Sequence, residues 1–217
     1  MLIYAHRGWH DAATPENSMA AFRRAADSGF GIETDLRTDR TGRIVLFHDR
    51  VLGGAPLDQL DHAAIERLAG RPVPTLDDLL GADLGVPLNL EVKTRAAWAA
   101  LAPYLAQELP RDVLVSSFVH TIAREAAERH GLEAAYLMAS APMPDAMPHT
   151  RPRLTRIVWD FNIVDAALLD GARARGFAAI VYGAQTEAEH RRLVEWGCDA
   201  VITDRPDLAA GQFKTLR

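Results

Sequence analysis

Two acidic residues and one histidine in a single predicted hairpin carry the strongest chemical signal in the sequence. Glu33 and Asp35 lie two residues apart in a run typical of a strand, so both carboxylates point to the same face. The turn formers at 38–42 make a connection too short for a parallel crossover. Residues 43–48 are therefore predicted to return antiparallel and to bring His48 near Glu33. Two carboxylates on one face suit a hard divalent cation, which prefers oxygen ligands.

Two other stretches add charged groups at predicted strand ends. The apolar residues 2–5 are followed by His6 and Arg7, and the strand predicted at 88–93 carries Glu91 and Lys93 on one face. The complete set contains two histidines, three acids, one arginine and one lysine. Groups of these types can bind a cation, hold an anionic substrate and transfer protons near neutral pH.

The elements that must position these residues alternate regularly along the chain. With the hairpin return set aside, eight parallel strands are predicted, at residues 2–5, 31–36, 88–93, 113–117, 134–138, 156–161, 178–182 and 200–203. Helices are predicted between them, the first at 15–28 after an N-cap at Thr14 and the one after the third strand at 95–108. This alternation predicts an α/β fold, a (β/α)8 TIM barrel, although composition alone does not exclude a doubly wound sheet.

In a barrel of this kind the active site lies at the carboxyl ends of the strands. The residues singled out above fall at or near such ends: His6, Glu33, Asp35, Glu91 and Lys93. We expect a single domain over residues 1–217, with a β-hairpin after strand 2 and a small insertion at 50–87 before strand 3. Within the insertion, Thr75 followed by Asp78 is the pattern of a helix N-terminus.

Composition and charge exclude several classes of protein. The net charge of −5 argues against nucleic-acid binding, and no apolar stretch is long enough for stable membrane insertion. Cys198 is the single cysteine, so no internal disulfide forms. No signal peptide is recognised at the N-terminus, so a cytoplasmic location is expected. The partner expected is therefore a small molecule, and the sequence leaves the oligomeric state open.

Six short motifs follow one another in the order found in one enzyme family. They are HRG at 6–8, PEN at 15–17, E-x-D at 33–35, HD at 48–49, E-x-K at 91–93 and TD-x-P at 203–206. With this set the chain resembles the glycerophosphodiester phosphodiesterases, which are phospholipase C-like phosphodiesterase barrels. Each motif is unspecific alone, but six in order are specific. Two departures occur: the family's usual Arg-Thr-Thr turn after HD is absent, and residues 183–185 replace its usual Thr-Val-Asn.

The resemblance implies a role for each histidine and acid of the set. It makes His6 and His48 the general acid and base, in an order that the sequence does not assign. Glu33, Asp35 and Glu91 would bind one divalent cation, either Mg²⁺ or Ca²⁺, because all the ligands are oxygens. No cluster of cysteine and histidine indicates zinc. Taken singly, strand-end acids can instead cap helices or pair with arginines, and a strand-end histidine can be structural.

Phosphate and alcohol binding are assigned to four further residues. Arg7 and Lys93 would hold the phosphate oxygens, although Lys93 could equally be an ion-pair partner of Glu91. Phe118 and Tyr182, at later strand ends, would contact the alcohol part of the substrate. Six other histidines are predicted on loops or helix surfaces: His10, His62, His120, His130, His149 and His190.

The expected function is metal-dependent hydrolysis of a glycerophosphodiester to glycerol 3-phosphate and an alcohol. A histidine would activate water directly, or it would deprotonate a glycerol hydroxyl so that a cyclic phosphate forms and is then opened. One alternative is a phosphodiesterase of the lysophospholipase D type on the same barrel. The other is a catalytically silent barrel that binds a phosphorylated ligand.

Overall fold

The computed structural model of the chain describes residues 2–106, 112–143 and 146–214. Its strands are β1 (Leu2–Ala5), β2 (Gly31–Thr38), β3 (Ile44–Leu46), β4 (Val51–Leu52), β5 (Ala55–Pro56), β6 (Leu88–Val92), β7 (Val113–Ser117), β8 (Glu133–Met138), β9 (Leu154–Asp160), β10 (Ala178–Tyr182) and β11 (Ala200–Thr203). Its helices are α1 (Met19–Asp27), α2 (His62–Ala69), α3 (Leu76–Gly81), α4 (Arg95–Leu105), α5 (His120–His130), α6 (Ala166–Ala174), α7 (Glu187–Glu195) and α8 (Pro206–Lys214).

Eight of these strands form a closed parallel barrel. Strands β6 to β11 pair with their neighbours in chain order, β2 pairs with β6, and β1 closes the ring by pairing with both β2 and β11. This closure confirms the predicted (β/α)8 barrel and excludes the doubly wound sheet. The strand bounds differ from the predicted ones by a few residues at most. The helix predicted at 95–108 after the third parallel strand corresponds to α4, which is described from Arg95 to Leu105. Its predicted end at residue 108 lies outside the described residues.

The first helix begins later than its sequence pattern predicts. The predicted start was Pro15 with Thr14 as N-cap, but α1 begins at Met19 and the Ser18 side chain accepts a hydrogen bond from the Ala21 N–H. The reason lies at Asn17, whose φ of 48° is outside the right-handed helical region. The PEN motif is therefore a loop that precedes the helix.

The chain after β2 reverses through a short turn and then forms the insertion. Strand β3 pairs antiparallel with β2, with Leu36 opposite Leu46. The insertion at 50–87 contains the small β4–β5 hairpin, a 3₁₀ turn at Leu57–Gln59, and helices α2 and α3. Thr75 and Asp78 form the predicted capping box at the start of α3. A separate buried cluster lies under this segment and consists of Val45, Phe47, Leu57, Ile65 and Val73.

The core has two layers, as a barrel requires. The larger layer packs the outer faces of the strands against the helices. The smaller layer fills the barrel interior with Tyr4, Leu114, Ala135, Leu137, Val158, Ile180, Ala200 and Ile202. Because each fully buried large apolar side chain contributes about 1.5–3 kcal/mol, these layers fix the strand ends that carry the charged residues. Within the described part of the chain, the helices are too short or too polar to cross a bilayer.

Candidate active site

Three buried carboxylates meet at the carboxyl ends of β2 and β6. Asp35 lies opposite Glu91 in the parallel register of these strands, and Glu33 precedes Asp35 by two residues on the same face. One oxygen from each of the three carboxyl groups lies within 4.8 Å of the others. The residues are only 2%, 0% and 7% exposed for Glu33, Asp35 and Glu91. We call this set the carboxylate trio.

Two cations balance part of the charge of the carboxylate trio. Lys93 Nζ lies 2.8 Å from Asp35 Oδ1 and 2.5 Å from Glu91 Oε1. Arg7 Nε lies 3.3 Å from Asp35 Oδ2, and the backbone N–H of Arg7 donates to Glu33 Oε2 at 3.0 Å. Lys93 therefore forms the ion pair with Glu91 that the sequence left open, and it also faces the site cavity.

The loop after β1 holds Arg7 in an unusual backbone conformation. Arg7 has a φ of 54° and Gly8 has a φ of 80°, and a Cβ at Gly8 would come within 2.8 Å of the Ala21 backbone. A glycine is needed at this close approach, because any side chain would collide with α1. Glu16 of the PEN motif accepts from Arg7 Nη1 at 2.8 Å and so orients the guanidinium.

Asn17 of the PEN motif connects this loop to β2. Its backbone N–H donates to the Arg7 carbonyl at 2.8 Å, its Nδ2 donates to Asp35 Oδ2 at 2.8 Å, and its Oδ1 accepts from Thr34 Oγ1 at 2.7 Å. The side chain is fully buried. Asn17 thus positions both the arginine and one carboxylate.

The three carboxyl groups of the carboxylate trio differ in the direction of their pKa shifts. Burial and the negative charge of Asp35 raise the pKa of Glu33 to about 8. Burial also raises the pKa of Glu91, with Lys93 opposing and Asp35 adding to the shift. For Asp35, burial would raise the pKa as well, but Lys93 and Arg7 outweigh it and the pKa is lowered. The protein's own cations therefore stabilise the ionised form of Asp35 and compensate the charge of Glu33 only in part.

The residues of the carboxylate trio fit a hard divalent cation. Glu33 Oε1 is buried and has no hydrogen-bond partner among the described residues. A buried carboxylate oxygen without a partner is costly, and a bound cation would compensate it. The donor set is composed entirely of oxygens, which suits Mg²⁺ or Ca²⁺.

The two histidines line one cavity and each contacts an acid through Nδ1. His6 Nδ1 lies 2.7 Å from Asp204 Oδ1, and His48 Nδ1 lies 2.9 Å from Asp49 Oδ1. Because a carboxylate only accepts hydrogen bonds, each Nδ1 is assigned the proton and each Nε2 is left for the site. His6 Nε2 is 3.9 Å from Glu33 Oε2.

The environment of His6 favours its protonated form. Burial by itself would lower the pKa of His6, but the hydrogen bond with Asp204 and the charge of Glu33 outweigh burial, so the pKa is raised. Burial would raise the pKa of Asp204, yet hydrogen bonds from His10 and His6 hold it well below its usual range. Asp204 thus stays ionised and stabilises a proton on the imidazole.

The cavity that these groups share has a volume of about 190 Å³. Its walls include the predicted residues His6, Arg7, Glu33, His48, Glu91, Lys93, Phe118 and Tyr182. Phe118 and Tyr182 meet edge to face, with ring centroids 6.3 Å apart, and Tyr182 Oη donates to Asp160 at 3.2 Å. Asp35 lies just behind the wall, in contact with Arg7 and Lys93.

Several residues of the site were not identified by sequence reasoning. Asp204 was recognised as part of the TD-x-P motif, but its contact with His6 is visible only in the folded chain. Asn89 lines the cavity, is fully buried, and has an Nδ2 without a hydrogen-bond partner among the described residues. Its position two residues before Glu91 on one strand face could have indicated this. Leu137 and Ile202 complete the cavity floor and carry no chemical signal.

One histidine predicted on a helix surface is buried instead. His190 is 0% exposed, with Nδ1 2.8 Å from the Thr186 carbonyl and Nε2 3.0 Å from Thr203 Oγ1. The prediction was wrong because α7 turns this side chain towards β11. His190 therefore supports the strand end that precedes Asp204.

Comparison with known sequences gives one consistent result. The model of the glycerophosphoryl diester phosphodiesterase family matches residues 6–208. A Mycobacterium tuberculosis protein, named probable glycerophosphodiester phosphodiesterase 2, is 31% identical over 235 residues, which cover 95% of this chain and 88% of that protein. A glycerophosphodiester phosphodiesterase of Caldanaerobacter subterraneus is 26% identical over 236 residues, with 95% of each chain covered.

Comparison with solved structures supports the same fold. An Oleispira antarctica phosphodiesterase in complex with the product sn-glycerol-3-phosphate aligns with a TM-score of 0.84 and 23% identity, covering 99% of this chain and 97% of that one. A glycerophosphodiester phosphodiesterase of Agrobacterium tumefaciens aligns with a TM-score of 0.74 and 26% identity, covering 98% and 99% of the two chains.

Proposed function

The chain belongs to the glycerophosphoryl diester phosphodiesterase family and is an enzyme that hydrolyses glycerophosphodiesters, and we propose that it does so with one bound divalent cation and two proton-transferring histidines. The observation that carries this proposal is the convergence of His6, His48 and the carboxylate trio on one cavity of about 190 Å³. The products would be glycerol 3-phosphate and an alcohol.

The cation site would consist of Glu33, Asp35 and Glu91. Support comes from the buried Glu33 Oε1 without a hydrogen-bond partner and from the raised pKa of Glu33. A Mg²⁺ or Ca²⁺ ion bound there supplies positive charge that stabilises oxygens whose charge increases during cleavage of the P–O bond.

The two histidines would transfer the protons of the reaction. One Nε2 takes the proton from the attacking oxygen, and the other gives a proton to the leaving alcohol oxygen. Asp204 and Asp49 hold the Nδ1 protons and so keep each Nε2 directed at the substrate. The attacking oxygen belongs either to a water molecule or to a glycerol hydroxyl of the substrate. Attack by the glycerol hydroxyl gives a cyclic phosphate, which water opens in a second step.

The substrate would be oriented by groups on the cavity wall. The guanidinium of Arg7 and the ammonium of Lys93 would contact phosphate oxygens, whose charge is redistributed in the transition state. Asn89 accepts a hydrogen bond from Ser116 Oγ through Oδ1, whereas its Nδ2 has no partner among the described residues and would donate to an oxygen of the glycerol part. Phe118 and Tyr182 would contact the alcohol part.

The cavity volume favours glycerophosphodiesters over lysophospholipids. A space of about 190 Å³ with charged walls suits a glycerophosphate group better than a long acyl chain. The presence of every charged group of the proposed mechanism also argues against a silent ligand-binding barrel. The buried thiol of Cys198, without a disulfide, is compatible with the cytoplasmic location that we propose.

The experiment that tests this function measures release of glycerol 3-phosphate from a panel of glycerophosphodiesters. Three reactions are compared, with EDTA, with added Mg²⁺ and with added Ca²⁺. We expect release in at least one metal reaction and none with EDTA. Release that is equal in all three would contradict the cation. Absence of release from a folded protein in all three reactions would indicate that the substrate is a lysophospholipid or another phosphodiester.

A further inference from the structure

Two histidines converge on a single carboxylate oxygen beside the active site. His6 Nδ1 lies 2.7 Å and His10 Nε2 lies 3.2 Å from Asp204 Oδ1. These three ligand-type atoms all lie within 4.8 Å of one another. The proposed reaction uses the contact between His6 and Asp204, whereas His10 contacts neither substrate nor reacting atoms and enters only through its hydrogen bond with Asp204.

We infer that His6, His10 and Asp204 form a second cation site, distinct from the carboxylate trio and selective for Zn²⁺. Two imidazole nitrogens and one carboxylate oxygen are a typical zinc donor set, whereas Mg²⁺ and Ca²⁺ prefer sites composed of oxygens. Ligands about 2.1 Å from a tetrahedral ion are separated by about 3.4 Å. Asp204 Oδ1 lies 2.7 and 3.2 Å from the two nitrogens, and all three atoms lie within 4.8 Å of one another, so modest side-chain adjustments would give tetrahedral spacing.

The surroundings of Asp204 orient the carboxylate for this purpose. Gln185 Nε2 donates to Asp204 Oδ2 at 2.8 Å, which leaves Oδ1 directed at the histidines. Such outer contacts fix ligand orientation at metal sites. The side chains of His6, His10 and Asp204 are 25%, 22% and 30% exposed, so an ion can reach them from solvent.

Zinc at this site has a direct consequence for His6. A neutral imidazole has one ring proton, and with Zn²⁺ on Nδ1 that proton lies on Nε2. Nε2 then has no free electron pair and cannot accept a proton as a general base. As a general acid, Nε2 would have to lose its only proton and leave an imidazolate, which is far less favourable than loss of a proton from an imidazolium. Zinc therefore inhibits hydrolysis in either role of His6, a consequence that rests on the proposed function of His6, whereas binding of the ion does not.

The test uses the complete protein with millimolar Mg²⁺ present throughout, so that the carboxylate trio is supplied with its own ion. Zn²⁺ is titrated by calorimetry into the wild type, into His10→Asn, and into His149→Asn as a control at an exposed histidine. Visible absorption of added Co²⁺ provides a second readout of coordination by nitrogen ligands. Hydrolysis is measured in parallel over the same Zn²⁺ range.

We expect one Zn²⁺ to bind the wild type and the control equally, and His10→Asn to bind it roughly 100-fold more weakly. The rate of each protein is expressed relative to its own rate without zinc, and on that scale His10→Asn should resist inhibition whereas the wild type and the control should not. Equal zinc affinity, or equal inhibition, in the wild type and His10→Asn would overturn the proposal and place the ion elsewhere. Binding that depends on His10 without inhibition would support the site and contradict the proton-transfer role of His6.

Discussion

The two mouths of the barrel differ in a way that cavity size does not reveal. The cavity at the amino ends of the strands is the larger one, about 390 Å³ against about 190 Å³ at the carboxyl ends. Charged groups also line the larger cavity, and three of them have partners: Arg156 pairs with Glu133, and Asp199 accepts from the Ala179 N–H. At the carboxyl ends, Glu33 is buried with an oxygen that has no partner among the described residues.

Burial raises a pKa at both mouths, but the chemical consequences differ. At the amino end, burial raises the pKa of Tyr4 to about 12, so the phenol stays neutral at physiological pH. At the carboxyl end, burial and Asp35 raise the pKa of Glu33 to about 8, into the range where protons are exchanged. Convergent buried charge, and not volume, therefore distinguishes the functional mouth from the structural one.

The strongest test of this comparison removes one histidine at the carboxyl mouth. His6→Ala or His48→Ala should lower kcat by on the order of 10²–10⁴-fold, because a proton-transfer group is lost. Arg156→Ala at the amino mouth is the control and should leave kcat within about twofold, since its ion pair is partly exposed. Glycerol 3-phosphate release and circular dichroism would measure activity and fold. Near-normal rates for both histidine variants would remove the proposed roles.

A second test removes an acid from the carboxylate trio. Glu33→Gln keeps the shape of the side chain but removes a cation ligand, so Mg²⁺ affinity should fall by about 100-fold and activity should fall with it. Calorimetry of Mg²⁺ binding and the rate at saturating Mg²⁺ would measure both quantities. Wild-type Mg²⁺ affinity in Glu33→Gln would show that the ion binds elsewhere.

The pH dependence of stability in metal-free protein tests whether the pKa of Glu33 is raised in the folded state. The pKa of Glu33 is about 8 in the folded state and about 4.3 in an unfolded chain, so proton binding favours folding. This stabilisation is fully present below about pH 4.3 and is lost as the pH rises towards 8. With EDTA, the Tm of the wild type should therefore fall over this range more steeply than that of Glu33→Gln. Parallel curves would contradict a raised pKa of Glu33, and added Mg²⁺ should flatten the wild-type curve.

The smallest expected effect concerns the aromatic edge of the cavity. Phe118→Ala should raise KM about fivefold for substrates with a bulky alcohol and change kcat little, because one ring contact of about 1 kcal/mol is lost. Leu68→Ala is the matched control, since Leu68 and Phe118 are both 45% exposed and only Phe118 lines the cavity. An equal KM for bulky and small alcohols in Phe118→Ala would exclude contact with the alcohol part.

Much of this arrangement could be predicted, because local spacing decides it. The separation of Glu33 and Asp35 by two residues fixes their common face, and the short turn after β2 requires an antiparallel return towards the site. The role of Asn17 was harder to predict, because the PEN motif at 15–17 also fits the start of a helix. Only its contacts with Arg7, Thr34 and Asp35 explain why the helix begins at Met19 instead.

The sequence by itself determined the alternation of strands and helices, the face of each acidic pair, and the family motifs, since all of these depend on residues close together along the chain. Only the tertiary structure decided which distant groups meet. Closure of the barrel between β1 and β11 brings Asp204 beside His6 and His10, although 198 and 194 residues separate them along the chain. It also decided that His190 is buried and that Glu33 Oε1 has no hydrogen-bond partner among the described residues, because burial and charge balance depend on everything that packs around a side chain.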